Sequence, residues 1–424
     1  MTRDFLRHRI VALRARARRL ARISSRDVGL RPQDLPFSPS RAHFEAANRR
    51  LDAIDRQVRE RLEHLLGAWS EASSDRLLVD VALVEREVDR ARRAFGLFFE
   101  IFSQRGSAFA PALAAHDVIA ADCYWAVREA APRIFAGPLL KPICYMEHGY
   151  SPATMRRGVQ LNRLLGEPNP FPIVRIPWDR DNPWQAVFLH EVAHNLQADL
   201  GIWQETRRAV VRRVLTASGD PLVTTVYGRW HKEIFADLAA ILLGGPAAAF
   251  GMAMFLAHPS PRTMTYRPGG AHPTAYLRVL ILVEMLRRLG FGAEAERLRR
   301  AWQGLYDPRG GHRIPPNLMT SAGSIIPHVV DESAFQTRRN LAQRALADII
   351  RLTLDDEARI REGGRVLGEG RVPQGLAPRH LVSAASYALE GGAIAPPTLS
   401  RLVIQHLNRR PSGRPRALAD ARAA

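Results

Sequence analysis

The sequence predicts a mainly helical chain with a small β-sheet (α+β), and three observations carry that expectation. Two long stretches, 44–65 and 81–102, set apolar residues three and four apart, the period of a helix with one buried seam. Only two short runs, 143–146 and 171–178, read as strands. Residues 184–199, WQAVFLHEVAHNLQAD, place His190 and His194 one helical turn apart among Val187, Phe188, Leu189, Val192 and Leu196.

In chain order, residues 1–26 read as a basic helix: nine arginines and one aspartate surround Phe5, Leu6, Ile10, Leu13, Leu20 and Ile23. It has no apolar run long enough for a signal peptide. Such a helix can meet an anionic membrane or nucleic acid, but packing on the body is the preferred expectation. Residues 31–40 read as a Pro-rich linker. Phe44, Ala47, Leu51, Ile54, Val58, Leu62 and Leu65 line one helix, and Val81, Val84, Val88, Ala91, Phe95, Phe98 and Phe102 line the next. The short link 67–75 makes them an antiparallel hairpin, read as a layer on the rest of the chain. A third helix is expected over 109–133.

Pro172 and Pro177 bracket the second strand and place it at a sheet edge, where an extended peptide can pair. The next helix is expected to start with Asn182 as N-cap, Pro183 at the first position and Gln185 completing a capping box. A further helix is expected from Asp220 and Pro221 to the stop at Gly244-Gly245. Residues 238–257 carry no charge, but Gly244-Gly245-Pro246 divides them into two core helices rather than a membrane span. After a loop at 258–270 come helices at 272–289 and 293–305, an irregular 308–327 and a helix at 332–352 seamed by Phe335, Leu341, Leu346 and Ile349. A Gly-rich hinge at 363–378, helices at 379–389 and 397–408 and a disordered basic tail complete the chain. The expected regions are therefore 1–40, 41–135, 136–310, 311–408 and 409–424.

The 424 residues carry a formal charge of +19, almost all of it arginine, since Lys141 and Lys232 are the two lysines. Nucleotide composition alone can produce an arginine bias, so charge does not by itself point to nucleic acid. Cys123 and Cys144 are not spaced as a metal pair and argue for no disulfide framework, which suits a reducing, cytoplasmic compartment, with peripheral membrane contact through 1–26 left open. No P-loop, dinucleotide fingerprint or nucleophile elbow is present.

The chemistry concentrates in three elements. His190-Glu191-Val192-Ala193-His194 is an H-E-x-x-H motif: both imidazoles can hold one metal ion, and Glu191 can act as general base on a metal-bound water. Zinc with two histidines needs a third ligand, and Glu233 is the natural candidate. Asp237 follows it on the same helical face, able to accept a hydrogen bond from a ligand histidine. Glu205 is the alternative third ligand, disfavoured because it has no acid one turn on. The third element is His272-Pro273 to Arg278.

H-E-x-x-H followed by E-x-x-x-D resembles the gluzincin metallopeptidases, and the H-P-x-x-x-x-R element is similar to the CAAX prenyl endopeptidase group and its soluble bacterial relatives. The resemblance spans about 171–291. It implies a zincin-like catalytic core flanked by helical regions, with one zinc ion on His190, His194 and Glu233. It implies Glu191 as base, Asp237 behind a ligand histidine, and His272 and Arg278 steadying the oxyanion or the acidic network. His272 is the first candidate oxyanion donor, before Tyr227, His231 and Tyr276. The best-known CAAX members span the membrane several times, whereas this sequence has no such series of spans. The resulting expectation is a zinc-dependent metallopeptidase acting on a peptide or protein. The alternative is a non-catalytic basic helical scaffold for a membrane surface, nucleic acid or partner protein, with a vestigial metal site. Oligomeric state is left open.

Overall fold

The structure, a computed structural model, describes residues 2–135, 140–149, 153–157, 168–179 and 182–409. It is mainly helical with one small three-stranded mixed sheet, as expected from sequence.

The N-terminal half is a helical layer. Helix α1 (Thr2–Leu20), a short 3-10 turn (Pro32–Phe37), and the hairpin of α2 (Arg41–Gly67) and α3 (Ser74–Ser103) precede α4 (Ala110–Ala130). Ser73 caps α3 by accepting from the Arg76 amide at 3.2 Å. Leu6, Ile10, Leu13 and Ala17 of α1 bury against Val58, Leu62 and Leu65 of α2 and Leu77, Val81, Val84 and Val88 of α3. Each buried Leu or Ile contributes roughly 1.5–3 kcal/mol, enough to dock the helix, while Arg7, Arg14, Arg16 and Arg18 face outward. Most of the apolar stripe of the basic helix is thus taken up by packing, with Phe5 left exposed. The other end of the hairpin, through Leu51, Ile54, Phe98 and Phe102, covers Ile143, Tyr145, Phe171 and Ile173 of the sheet region.

The sheet comprises β1 (Ile143–Glu147), β2 (Ala153–Met155) and β3 (Ile173–Pro177) in the order β1-β3-β2. β3 pairs parallel with β1 and antiparallel with β2. This corrects the expectation that the strand at 171–178 is an edge. Its prolines lie where no donor is required: Pro172 precedes the strand and supplies its carbonyl to the Ile143 amide, and Pro177 is beyond the Ile173–Arg175 stretch that pairs with β2. The outer strands are β1 and β2.

Seven helices follow: α5 (Val187–Asp199), α6 (Trp203–Ser218), α7 (Pro221–Gly244), α8 (Pro246–Leu256), α9 (Ser260–Thr263), α10 (Ala275–Arg288) and α11 (Gly292–Leu305). Asp220 caps α7 as expected, accepting from the Leu222 and Val223 amides at 2.7 and 3.1 Å. Gly245, at φ 73°, makes the break from α7 to α8 that a side chain would resist. Among the described residues no helix is long and apolar enough to cross a membrane. Two starts differ from expectation. The chain turns once at 183–186 before α5, so Asn182 is not its cap. His272 and Pro273 lie ahead of α10 rather than in it.

The C-terminal part is more broken than its spacing implied. Residues 308–327 are not wholly irregular but contain α12 (Pro316–Thr320) and the start of α13 (Ala322–Val330), which buries Ile325, Ile326, Val329 and Val330. Residues 332–352 are not one helix. A π-turn (Asp331–Phe335), a 3-10 turn (Arg339–Leu341) and α14 (Leu346–Ile349) share that stretch, interrupted where Ala342 and Gln343 adopt left-handed φ of 52° and 60°. The expected hinge is also corrected. Gly363 and Gly364 lie inside α15 (Leu354–Gly368), and α16 (Pro378–Glu390) and α17 (Pro396–Asn408) follow. A Cβ on Gly364 would lie 2.7 Å from the Tyr387 Cβ and 3.0 Å from the Ala384 carbonyl, so these glycines allow close helix packing. The tail beyond Arg409 lies outside the described residues.

Candidate metal centre

Helices α5 and α7 build the site. Both are apolar on nearly every side: Val187, Phe188, Leu189, Val192 and Leu196 of α5 are buried, as are Ile234, Phe235, Leu238 and Ile241 of α7. Contacts step down α7 as they step up α5, so the helices run antiparallel. His190 meets Glu233 and Asp237, and His194 meets Glu233. The sheet fixes α5 from the other side, where Asn195 donates to the Ile173 carbonyl of β3 at 3.4 Å.

His190, His194 and Glu233 each offer one ligand atom, and the three atoms lie within 4.8 Å of one another. Glu233 Oε2 is 3.4 Å from His190 Nε2, and Oε1 is 3.3 Å from His194 Nε2. Oε2 is buried and makes no well-formed hydrogen bond. A buried carboxylate with one oxygen lacking such a bond, its two oxygens facing the His190 and His194 nitrogens, fits a donor set for a divalent ion. This is a candidate metal-binding group, with the ion's identity open.

Behind it is an ordered relay of charge. Arg278 makes a bidentate pair with Asp237, Nε to Oδ2 at 2.6 Å and Nη2 to Oδ1 at 2.8 Å. Asp237 Oδ1 accepts from His190 Nδ1 at 2.8 Å. That bond assigns a proton to Nδ1 and turns Nε2 towards Glu233. Arg278 Nη2 is also 3.7 Å from Glu233. His190, Asp237 and Arg278 are all buried.

Charge coupling follows from that burial. Desolvation disfavours a charged His190, but the carboxylates of Asp237 and then Glu233 outweigh it and raise the imidazole to about 9. Burial likewise opposes ionisation of Asp237, and Arg278 and His190 overcome it, holding the carboxyl below its ordinary range. Glu233 is held far below that range by the two histidines, again against its burial.

Glu191 is outside the ligand group. Thr154 Oγ1 of β2 is 2.7 Å from both the Glu191 carbonyl oxygen and Oε2, and donates its one hydrogen to either. Sequence reasoning missed Thr154, because a three-residue strand carries no periodicity to find. His272 reaches the group from the loop before α10, Nε2 being 3.4 Å from Glu233 Oε2, with its side chain 70% exposed.

The other candidates are elsewhere. Glu205 accepts from the Arg339 and Asn340 amides at 2.7 and 3.2 Å, so its carboxylate serves a distant turn. His231 Nδ1 donates to the Gly228 carbonyl at 2.9 Å, with its ring edge-on to Trp203. Tyr227 and Tyr276 are buried in the main core. Among the described residues none of these three makes a hydrogen bond or ion pair with His190, His194 or Glu233.

No family model, curated protein or solved structure matches this chain. The likeness to gluzincins and to the CAAX group therefore rests on the motif residues themselves.

Proposed function

We propose that this chain is a zinc-dependent metallopeptidase, hydrolysing peptide bonds with Glu191 as general base. One observation carries the reading. Three ligand side chains converge, while Glu191, on the same helix as the histidines, is not among them and is held by Thr154. A structural zinc site usually takes four protein ligands and needs no base, whereas three ligands leave a position for water.

His190, His194 and Glu233 would hold the ion, and the mixed nitrogen and oxygen donors suit zinc. When bound, it would acidify a water and polarise a peptide carbonyl. Glu191 takes the water's proton on its carboxylate and delivers it to the leaving amine. The Thr154 hydroxyl keeps that carboxylate in one orientation between the two transfers. Exposed at the lip of the group, His272 is free to turn towards an oxyanion and donate to it. Asp237 and Arg278 serve indirectly, by aiming His190. As an outer strand, β2 offers an extended substrate a backbone to pair with, next to Thr154.

The test is elemental analysis beside peptide cleavage. Wild type is expected to hold about one zinc per chain, lost in His194→Ala and Glu233→Ala. Glu191→Gln is expected to keep the metal and lose cleavage. Failure of the wild type to take up zinc at neutral pH, or undiminished cleavage by Glu191→Gln, overturns the proposal.

A further inference from the structure

One cluster beside the metal centre has no part in the chemistry above. Trp203, the first residue of α6, is half-buried and carries two cations on its indole. Lys232 Nζ is 3.1 Å and Arg156 Cζ 4.5 Å from the ring centroid. Both cations are half-buried. Neither has a carboxylate within ion-pair distance among the described residues, Glu233 acting on both only from further off. The neighbouring arginine shows the contrast: Arg157 Nε is neutralised by Asp199 at 2.9 Å. Arg207 adds a third positive charge one turn along α6 from Trp203.

The position of this cluster is as telling as its charge. Lys232 immediately precedes Glu233 on α7, and Arg156 follows β2, the strand whose Thr154 holds Glu191. The elements that position the base and the third ligand thus also carry the cations. Cation–π contact with one indole offsets part of the desolvation of each head group but does not remove the repulsion between two like charges. A bound anion between them does. The flat indole beneath would pack the apolar part of the same ligand.

We propose that Arg156, Lys232 and Trp203 form a substrate subsite for a peptide carboxylate close to the scissile bond, supplied either by a free C-terminus or by an acidic side chain. This deepens the peptidase reading and rests on it. The two guanidinium and ammonium donors give charge-assisted hydrogen bonds that an amide cannot match.

The experiment is an equilibrium binding titration with full-length Glu191→Gln protein loaded with zinc, so that binding is read without turnover. The probes are an N-acetylated tripeptide acid, its C-terminal amide, and the amide carrying a terminal-position glutamate. The acid is expected to bind at least about tenfold tighter than the amide, from one charge-assisted bond. Adding Arg156→Gln or Lys232→Gln is expected to remove most of that gap while leaving the amide's affinity unchanged. Recovery of tight binding by the glutamate peptide identifies a side-chain carboxylate as sufficient, and its failure identifies the free terminus; both support the subsite. Equal affinity for acid and amide, a gap that survives both substitutions, no binding of any probe, or tighter binding of a tetranucleotide overturns it. Wild-type cleavage is measured in parallel. Cleavage with no charge preference sinks the subsite alone, and charge-selective binding with no cleavage of any peptide sinks the peptidase reading alone.

Discussion

Replacing Asp237 by leucine tests whether the buried relay aims the metal ligand or only stabilises the fold. In the native arrangement Arg278 is buried and doubly bonded to Asp237, which also accepts from His190 Nδ1. Removing one partner of a buried pair leaves a desolvated charge and costs about 3–5 kcal/mol. Glu233 remains 3.7 Å from Arg278, which moves the expected cost of Asp237→Leu to the lower end of that range. The loss of the carboxylate behind His190 should separately weaken zinc binding about 10–100-fold, or roughly 1.4–2.7 kcal/mol. The double variant Asp237→Leu/Arg278→Leu separates the two effects. With both charges gone the core regains stability to within about 1 kcal/mol of wild type, since apolar replacement of a buried pair is often neutral or better. Zinc affinity stays low, because nothing then fixes the His190 tautomer. Urea denaturation of the metal-free chain reads the first quantity, and zinc competition against a chelator reads the second. A double variant that binds zinc as tightly as wild type would refute the aiming role, and a single variant costing under about 1 kcal/mol would refute the pairing argument.

Other expectations follow from single contacts. Thr154→Val keeps the shape of β2 but deletes the hydroxyl on Glu191; cleavage should fall about tenfold or more with zinc content unchanged, as expected for one hydrogen bond to a charged group. Gly364→Ala should destabilise the chain by about 1–3 kcal/mol in thermal melts despite the better helix propensity of alanine, because its Cβ meets Tyr387 and Ala384. His43 is buried and neutral: burial pushes it down to about 4, its Nε2 donates to the Lys141 carbonyl, and its Nδ1 accepts from Ser40. Its folded pKa is below the unfolded value, so the unfolded chain binds the extra proton and stability falls as pH drops from about 6.5 towards 4, by about 1.4 kcal/mol per unit. His43→Gln should flatten that part of the stability profile between pH 6.5 and 5, and an unchanged slope would count against it.

What could be read from the sequence was whatever is encoded within one element. The helical period alone puts His190 beside His194 and Glu233 beside Asp237, and Asp220-Pro221 marks the start of α7 by local hydrogen bonding. What failed depended on distant partners. Proline spacing cannot tell the middle of a sheet from its edge when the neighbouring strand is three residues long, as β2 is. The apolar spacing of Phe335, Leu341, Leu346 and Ile349 correctly marks residues that approach the core, yet their backbone is broken by two left-handed residues. Glycines 363 and 364 read as flexibility, when the approach of α16 is what requires them. Glu205 has the residue type of a ligand, and only the fold shows that it holds a remote turn instead.

The charges at the centre favour an ion over a purely structural network. Glu233 and Asp237 face Arg278, while Glu191 acts on that guanidinium, and Arg156 and Lys232 act on Glu233, from further off. His190, Asp237 and Arg278 are buried there, and uncompensated buried charge is expensive. Without metal, a proton on His190 answers the Asp237 and Glu233 carboxylates, which lift the imidazole to about 9 against its own burial. A dication on the same atoms supplies two charges at once and must displace that proton to bind. Zinc affinity should therefore fall with decreasing pH, with proton release on binding measurable in weakly buffered solution. A structural histidine–carboxylate network would be satisfied by the protons alone, and would have no use for Glu191, which Thr154 holds beside it.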